Sequence, residues 1–308
     1  MNANPRGPGM DHDLYDYTPI TARAALPLDG KRLAVYIVLH LEYWELCTPP
    51  GSYRDPRFKG EFGTFTPEFR TWTSREYGNR VGVYRILDLL DAMGLPATVA
   101  LGAALVQTHP ELVGEILRRG WEVVTHGFSS NRMITSRMSE QEEHDFISTA
   151  RRIVAEAIGE PSEGWMSQDY GATPRTTSLL HSLGFSFSLD WTNDELPYWQ
   201  RAGKVARGLV ALPAPSELDD VQTIGLRKIL PERFPLMVQD ALQGWSGFPM
   251  QRVLPIGIHP WLFGAPHRIR YLREALALLR EQPDILITTA GDVARRFRNI
   301  NLEATHHA

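Results

Sequence analysis

Gly120-Trp-Glu-Val-Val-Thr-His126-Gly-Phe-Ser-Ser-Asn131 is the stretch that decides how this chain folds. Residues 121–125 read as a short buried strand that delivers a histidine from its carboxyl end into a glycine-containing loop. Two further apolar runs end the same way: Leu33-Ala-Val-Tyr-Ile-Val-Leu39 leads into His40, and Val253-Leu-Pro-Ile-Gly-Ile258 leads into His259. In a parallel α/β architecture the carboxyl ends of the strands share one face, and chemistry is placed there. A single histidine in that position is ordinarily a hydrogen-bonded structural residue; three in equivalent positions point to a site.

Around these strands, apolar runs alternate with helical periodicity. Helices are predicted over 81–93, 111–119, 139–158, 176–183 and 269–280, and strands over 33–39, 97–101, 122–125, 164–166, 185–190, 209–212, 253–258 and 285–288. Roughly seven βα units without an internal boundary predict an α/β fold, a single-domain distorted (β/α)7 barrel over residues 29–300. The polar, proline-rich residues 1–28 read as an N-terminal arm, partly disordered. Residues 301–308 read as a tail in which His306 and His307 have no role.

At 308 residues and 43% hydrophobic content the chain buries a full core. No run approaches the roughly 18 to 20 unbroken apolar residues of a membrane span, so no membrane association is expected. A net charge of -4 with no Lys/Arg-rich block gives no footprint for nucleic acid. The one cysteine, Cys47, excludes an internal disulfide and a cysteine-based zinc site. The opening residues lack the apolar core of a signal peptide, so a cytoplasmic protein acting on a small molecule is expected. Residues 43–76 follow the first strand directly and hold Trp44, Pro49, Pro50, Tyr53, Phe58, Phe62, Phe65, Phe69 and Trp72. A stretch so aromatic walls a pocket or packs on another subunit, and a homo-oligomer, dimer or tetramer, is expected from it. Residues 214–251 form a second irregular stretch, with Glu217, Asp219 and Asp220 following the strand at 209–212.

Several motifs together carry a resemblance: Tyr77-Gly-Asn-Arg-Val-Gly-Val-Tyr-Arg-Ile-Leu87, the Leu95-Pro-Ala-Thr98 lead-in to a strand, the His126 stretch, Leu189-Asp190 followed by Asn193-Asp-Glu-Leu-Pro-Tyr-Trp199, and Ile256-Gly-Ile-His259-Pro. From about residue 31 to residue 297 the chain resembles the polysaccharide deacetylase superfamily, the carbohydrate esterase family 4 fold. Within it the chain is most similar to the branch of metal-independent allantoinase and peptidoglycan-deacetylase-like proteins. The resemblance implies a distorted (β/α)7 barrel hydrolysing non-peptide C–N bonds, in N-acetyl sugars or in cyclic amides and ureides. For metal-dependent members it implies two aspartates after the first strand and a His-x-x-x-His pair; this chain has His40 and Glu42, and His126 and Ser130, at those positions. The allantoinase-like branch carries the glutamate matching Glu42, keeps the histidines matching His126 and His259 and lacks the second histidine of the pair, so the resemblance favours that branch.

The residues themselves are compatible with this chemistry. Strand side chains alternate, so His40 and Glu42 project to one side and Leu41 to the other. With His126 they offer two imidazoles and a carboxylate, a set able to hold one divalent ion such as zinc and leave a position for water. Without a metal, hydrolysis needs a base for water, an acid for the departing nitrogen and a donor for the oxyanion. Glu42 or His40 is assigned as base, His259 as acid or oxyanion donor, and His126 as partner of substrate or metal. Trp44, Trp165, Asp190, Trp199 and Trp261 complete the expected substrate-binding set. Trp165 has barrel lining as its alternative, and Asp190, the 193–199 motif, Asp219 and Asp220 have loop capping as theirs. Arg70, Arg75, Arg80 and Arg85 read as a solvated or subunit-facing surface. The leading expectation is ring opening of a small cyclic amide, imide or ureide by activated water; a metal-dependent deacetylase of N-acetyl sugars or peptidoglycan fragments and a non-catalytic binding member of the superfamily are the alternatives.

Overall fold

The computed structural model describes residues 10–50, 52, 67–248 and 250–306. Gly51 and residues 53–66, with Tyr53, Phe58, Phe62 and Phe65 of the aromatic stretch, lie outside the described residues. In chain order the strands are β1 (Leu33–Leu41), β2 (Thr98–Leu101), β3 (Glu122–Thr125), β4 (Gly164–Trp165), β5 (Phe187–Ser188), β6 (Tyr198–Ala202), β7 (Val205–Ala211), β8 (Arg252–Ile258) and β9 (Ile285–Thr288). The helices are α1 (Phe69–Tyr77), α2 (Val83–Met93), α3 (Ala103–Thr108), α4 (Pro110–Arg119), α5 (Glu140–Ile158), α6 (Thr176–Ser182), α7 (Phe234–Trp245), α8 (Ile269–Arg280) and α9 (Ala290–His306).

β1 is buried along its whole length, which is why its sequence is apolar without a polar alternation: a central parallel strand is covered on both faces. Its side chains still alternate in direction. Leu33, Val35, Ile37, Leu39 and Leu41 join the core beneath the helices, whereas Ala34, Tyr36 and Val38 join a second cluster inside the curl of the sheet. His40 and Glu42 continue that inner series.

One edge of β1 pairs with β8; the other pairs with β9 at its start and with β2 at its end. Beyond β2 the sheet runs through β3, β4, β5 and β7, all parallel. Seven parallel strands in the order β7-β5-β4-β3-β2-β1-β8 thus curl into a distorted (β/α) barrel, as the sequence predicts. β6 adds an antiparallel edge to β7. Between β7 and β8 the seam is closed by one bridge, in which Asp219 pairs with Gly257. Gly257 is what permits it, because a Cβ there would lie 2.2 Å from Oδ2 of Asp219.

Several elements correct the sequence reading. Tyr198–Ala202 and Val205–Ala211 form a hairpin turning at Gly203 (φ 58°), where only the second strand was expected, from 209. Helices α1 and α7 occupy part of the two stretches read as irregular, and α9 runs through residues 301–306, read as a tail. The arm is docked over its described part: Leu26 and Leu28 are buried, Arg23 pairs with Asp194 at 2.6 Å, and the Leu14 carbonyl accepts from the Arg201 amide at 2.8 Å. Two buried leucines spaced two apart make that segment part of the inner cluster. Among the described residues, no helix is long and apolar enough to cross a membrane.

Candidate functional site

His40, His126 and His259 leave β1, β3 and β8 on the inner side and meet at the carboxyl end of the barrel. The His40 ring stacks on His259 with centroids 3.9 Å apart and planes 12° from parallel, and meets His126 edge-on at 5.2 Å and 68°. Nδ1 of His40 lies 3.4 Å from Nε2 of His126, which lies 3.1 Å from Oε1 of Glu42. The cleft above them is walled by Trp44, Arg75, Ser130, residues 166–170, Asp219, Val221 and Gln222.

The hydrogen bonds of His126 fix where a proton or cation must be. Its Nδ1 sits 2.9 Å from the carbonyl oxygen of Met166, which only accepts, so Nδ1 carries hydrogen. In a neutral ring Nε2 would then present a lone pair to a carboxylate oxygen 3.1 Å away. Two acceptors do not approach that closely without a positive charge between them, so Nε2 of His126 and Oε1 of Glu42 share a proton or a metal ion. Burial opposes ionisation of Glu42, but the hydrogen bond from His126 and the charges of His259, His126 and Arg75 outweigh it and hold the carboxyl well below the usual range.

The other two imidazoles are driven apart. Burial, reinforced by His259 and His126, pushes the pKa of His40 well below its ordinary value, so its ring is neutral at pH 7. Burial would do the same to His259, but Asp219 and Asp220 reverse it and raise the pKa to about 9. Asp220 grips that residue twice: Oδ1 lies 2.6 Å from Nδ1, and the His259 amide donates to Oδ1 and Oδ2 at 3.0 and 2.9 Å. Asp219 stands at the edge of both stacked rings, Oδ2 being 3.7 Å from Nε2 of His40 and 3.8 Å from Nδ1 of His259. Burial raises its pKa.

Among the described residues, two groups of three have donor atoms within 4.8 Å of one another: His40, Glu42 and His126, and His40, Asp219 and His259. Donors at zinc bond lengths in a tetrahedron are roughly 3.3 to 3.4 Å apart, so separations of 3.4 and 3.1 Å in the first group fit an ion. The second group does not fit. An imidazole lone pair lies in its ring plane, and two rings stacked 3.9 Å apart cannot aim at a common ion.

Arg75 is the main residue that the sequence reading misplaced. Instead of facing solvent it is buried, with Nη1 3.4 Å from Oε2 of Glu42 and the guanidinium 4.0 Å from the Trp261 ring centre and 5.1 Å from that of Trp44. α1 can sit so low because the π-helical turn Gly78–Gly82 that follows it packs backbone against backbone: a Cβ on Gly82 would be 2.1 Å from the Pro260 carbonyl oxygen. That turn also brings Nδ2 of Asn79 within 2.9 Å of the Glu42 carbonyl oxygen.

Of the expected substrate-binding set, Trp44 lines the cleft and Trp261 backs it through Arg75. The other three are not in its lining. Trp165 pairs laterally with Thr125, so it faces the helices, packs on Phe185 and donates from Nε1 to Ser167. Asp190 accepts from the Ser167 amide at 2.6 Å and its hydroxyl at 3.1 Å, with a pKa raised by burial to about 7. Trp199, on the edge hairpin, packs on Phe297 of α9. Asp219, Asp220 and Arg75 are the site residues absent from the sequence assignment; the position of the first two after a strand was the available signal.

Residues 74–188 match the family model of polysaccharide deacetylases, a span that includes Arg75 and His126 and leaves His40, Glu42 and His259 outside it. A Schizosaccharomyces pombe protein assigned as a polysaccharide deacetylase is 24% identical, covering 92% of this chain and 98% of that one. The peptidoglycan deacetylase of Helicobacter pylori is 26% identical over 51% of this chain and 61% of its own length. Among solved structures, PuuE allantoinase superposes with a TM-score of 0.80 at 24% identity, covering 94% of this chain and 98% of that chain, and so shares the fold.

Proposed function

Because the chain carries a polysaccharide deacetylase domain, we propose that it is a hydrolase of non-peptide C–N bonds that opens a small cyclic amide, imide or ureide with activated water. The observation that carries this reading is the pairing, within one cleft, of an imidazole kept neutral with an imidazole kept protonated, His40 stacked on His259. Neighbouring titratable groups driven to opposite protonation states are what acid–base hydrolysis requires. A narrow cleft with an indole and a guanidinium in its wall suits a small planar ring.

In this reading a water oxygen adds to the carbonyl carbon and its proton passes to His40. Glu42, held well below the usual carboxylate range, faces Nε2 of His126 at 3.1 Å and orients that ring. His259, whose Nδ1–H is committed to Asp220, gives its Nε2 proton to the nitrogen as the C–N electron pair returns to it. The product of ring opening is a carboxylate with the released amine or ureido group attached. If a divalent ion is bound, His40, Glu42 and His126 hold it, and it supplies a water that ionises near neutral pH.

The 3.1 and 3.4 Å donor spacings favour a second reading, metal-dependent removal of N-acetyl groups from sugars or peptidoglycan fragments. A panel of allantoin, hydantoin, dihydrouracil and N-acetylglucosamine oligomers, assayed before and after chelation together with metal content, separates the two. Ring opening that survives chelation supports the first reading. Acetate release that is lost on chelation replaces it with the second.

A further inference from the structure

We propose that Gln168 is a specificity residue of this cleft, its side-chain oxygen accepting a hydrogen bond from an N–H on the edge of the substrate ring away from the bond that breaks; this rests on the cyclic-amide reading and selects among the rings that reading admits. Gln168 lines the cleft and is otherwise buried, being 3% exposed. One contact tells the two ends of its amide apart. The atom 2.7 Å from the His126 carbonyl oxygen, which only accepts, is the donor Nε2. Oε1 therefore turns the other way, and no described residue donates to it. A buried acceptor takes its partner from whatever can reach it, and for a residue in the cleft wall that is what the cleft contains.

The packing around Gln168 keeps that oxygen in place. A Cβ on Gly127 would be 3.3 Å from Cγ of Gln168, so the side chain runs close over the backbone of that glycine. The turn that carries it is tight as well: the Gln168 carbonyl accepts from the Gly171 amide at 3.0 Å, and a Cβ on Gly171 would stand 2.6 Å from the Ile134 carbonyl oxygen. Gln222 also lines the cleft, but no described residue bonds its side-chain amide, which can present either end to a ligand and so discriminates less. Position decides which N–H is read. Gln168 follows β4, and around the barrel β4 is separated from β8 by β3, β2 and β1 one way and by β5 and β7 the other. Gln168 and His259 thus stand on opposite sides of the cleft. A ring whose departing nitrogen meets His259 turns its far edge toward Gln168. An N–H on that edge pairs with Oε1, whereas a CH2 closes Oε1 off from water and offers nothing in return.

The test uses two pairs of rings that differ at one position, hydantoin against succinimide and dihydrouracil against glutarimide, in which CH2 replaces N–H without added bulk. Each ring is measured for kcat, KM and calorimetric binding with the parent, Gln168→Glu and Gln168→Met, and circular dichroism checks the fold of each protein. The parent is expected to bind the N–H member of each pair about tenfold to a hundredfold more tightly, the loss that an unpaired buried acceptor implies. Gln168→Glu keeps an acceptor and should keep most of that preference, whereas Gln168→Met should lose it. Loss of the contact to the His126 carbonyl weakens both members of a pair alike, so the ratio within a pair reports the acceptor. Equal binding within both pairs by the parent, absence of binding included, overturns the inference whether or not either variant folds, and so does a ratio that Gln168→Met leaves unchanged. Tighter binding of the N–H members with none of the four rings opened supports the role of Gln168 and counts against the cyclic-amide reading. Opening of all four rings with equal kcat/KM does the reverse.

Discussion

His259 is expected to titrate near pH 9, and Asp220→Asn to bring that midpoint down to about 7 to 8. Its Nδ1 lies 2.6 Å from Oδ1 of Asp220 and 3.8 Å from Oδ2 of Asp219, in a buried site. Burial favours the neutral ring; the two carboxylates overcome it and lift the pKa from 6.5 to about 9. At about 1.36 kcal/mol per pKa unit this is a preference of roughly 3 kcal/mol for the imidazolium in the folded state. Because the folded pKa lies above the unfolded one, that contribution is fully present below about pH 6.5 and is lost as pH rises through 9. A hydrogen bond to a charged group is worth about 1.5 to 3 kcal/mol, so removing the nearer carboxylate should lower the midpoint by about one to two pH units. The Cε1–H resonance of His259, assigned by its loss in His259→Gln, gives the midpoint. If His259 is the acid, the alkaline limb of kcat/KM follows the same value and moves with it in Asp220→Asn. A parent midpoint between 6 and 7, or one that does not move in the variant, refutes the account.

Zinc affinity, read by competition with a chromophoric chelator, should fall at least tenfold in His40→Ala and His126→Ala and be retained in His259→Ala; a loss in the last would refute the argument from ring stacking. Gly257→Ala puts a Cβ 2.2 Å from Oδ2 of Asp219 and should cost about 1 to 3 kcal/mol with a fall in kcat/KM, so an unchanged urea midpoint and rate would show that the seam is not tight. Burial holds the Asp190 carboxyl at about 7, above its unfolded value, so the folded state loses stability as pH rises through 7. Asp190→Asn, which keeps an oxygen for the Ser167 amide, should therefore gain stability relative to the parent between pH 5 and pH 8 by denaturant unfolding, and a pH-independent difference would contradict this.

The barrel strands and the three histidines were legible because parallel strands buried on both faces write themselves as unbroken apolar runs, and a polar residue at the end of such a run stands out. The same rule, carried one step further, would have placed Trp165. Register pairs it with Thr125 and not with His126, so it belongs to the outer face. Arg75 was misread for an identifiable reason. Members of a series spaced by five turn by roughly 140° around a helix at each step, so Arg70, Arg75, Arg80 and Arg85 cannot share one face. Arg70 and Arg80 are exposed while Arg75 is buried. The edge hairpin was missed because Gln200 and Arg201 interrupt an otherwise apolar run, and pairing with β7, not composition, makes it a strand.

Asp219 and Asp220 were not legible as site residues because local sequence describes them equally well as loop caps, and one of them is a cap: Oδ1 of Asp219 accepts from the Gln222 amide at 3.0 Å. What makes them functional is the seam. The bridge from Asp219 to Gly257 closes the barrel between β7 and β8, and the next residue is thereby set against the His259 amide and ring. The protonated imidazole therefore exists only where the barrel is shut, and the residue that shuts it also stands 3.7 Å from the neutral imidazole. Closure and the protonated state of His259 thus depend on the same two adjacent residues, Asp219 and Asp220. A change that opens this seam should abolish the acid before it unfolds the strands, because β1 keeps its pairing to β8 and β2 whether or not Asp219 is in place.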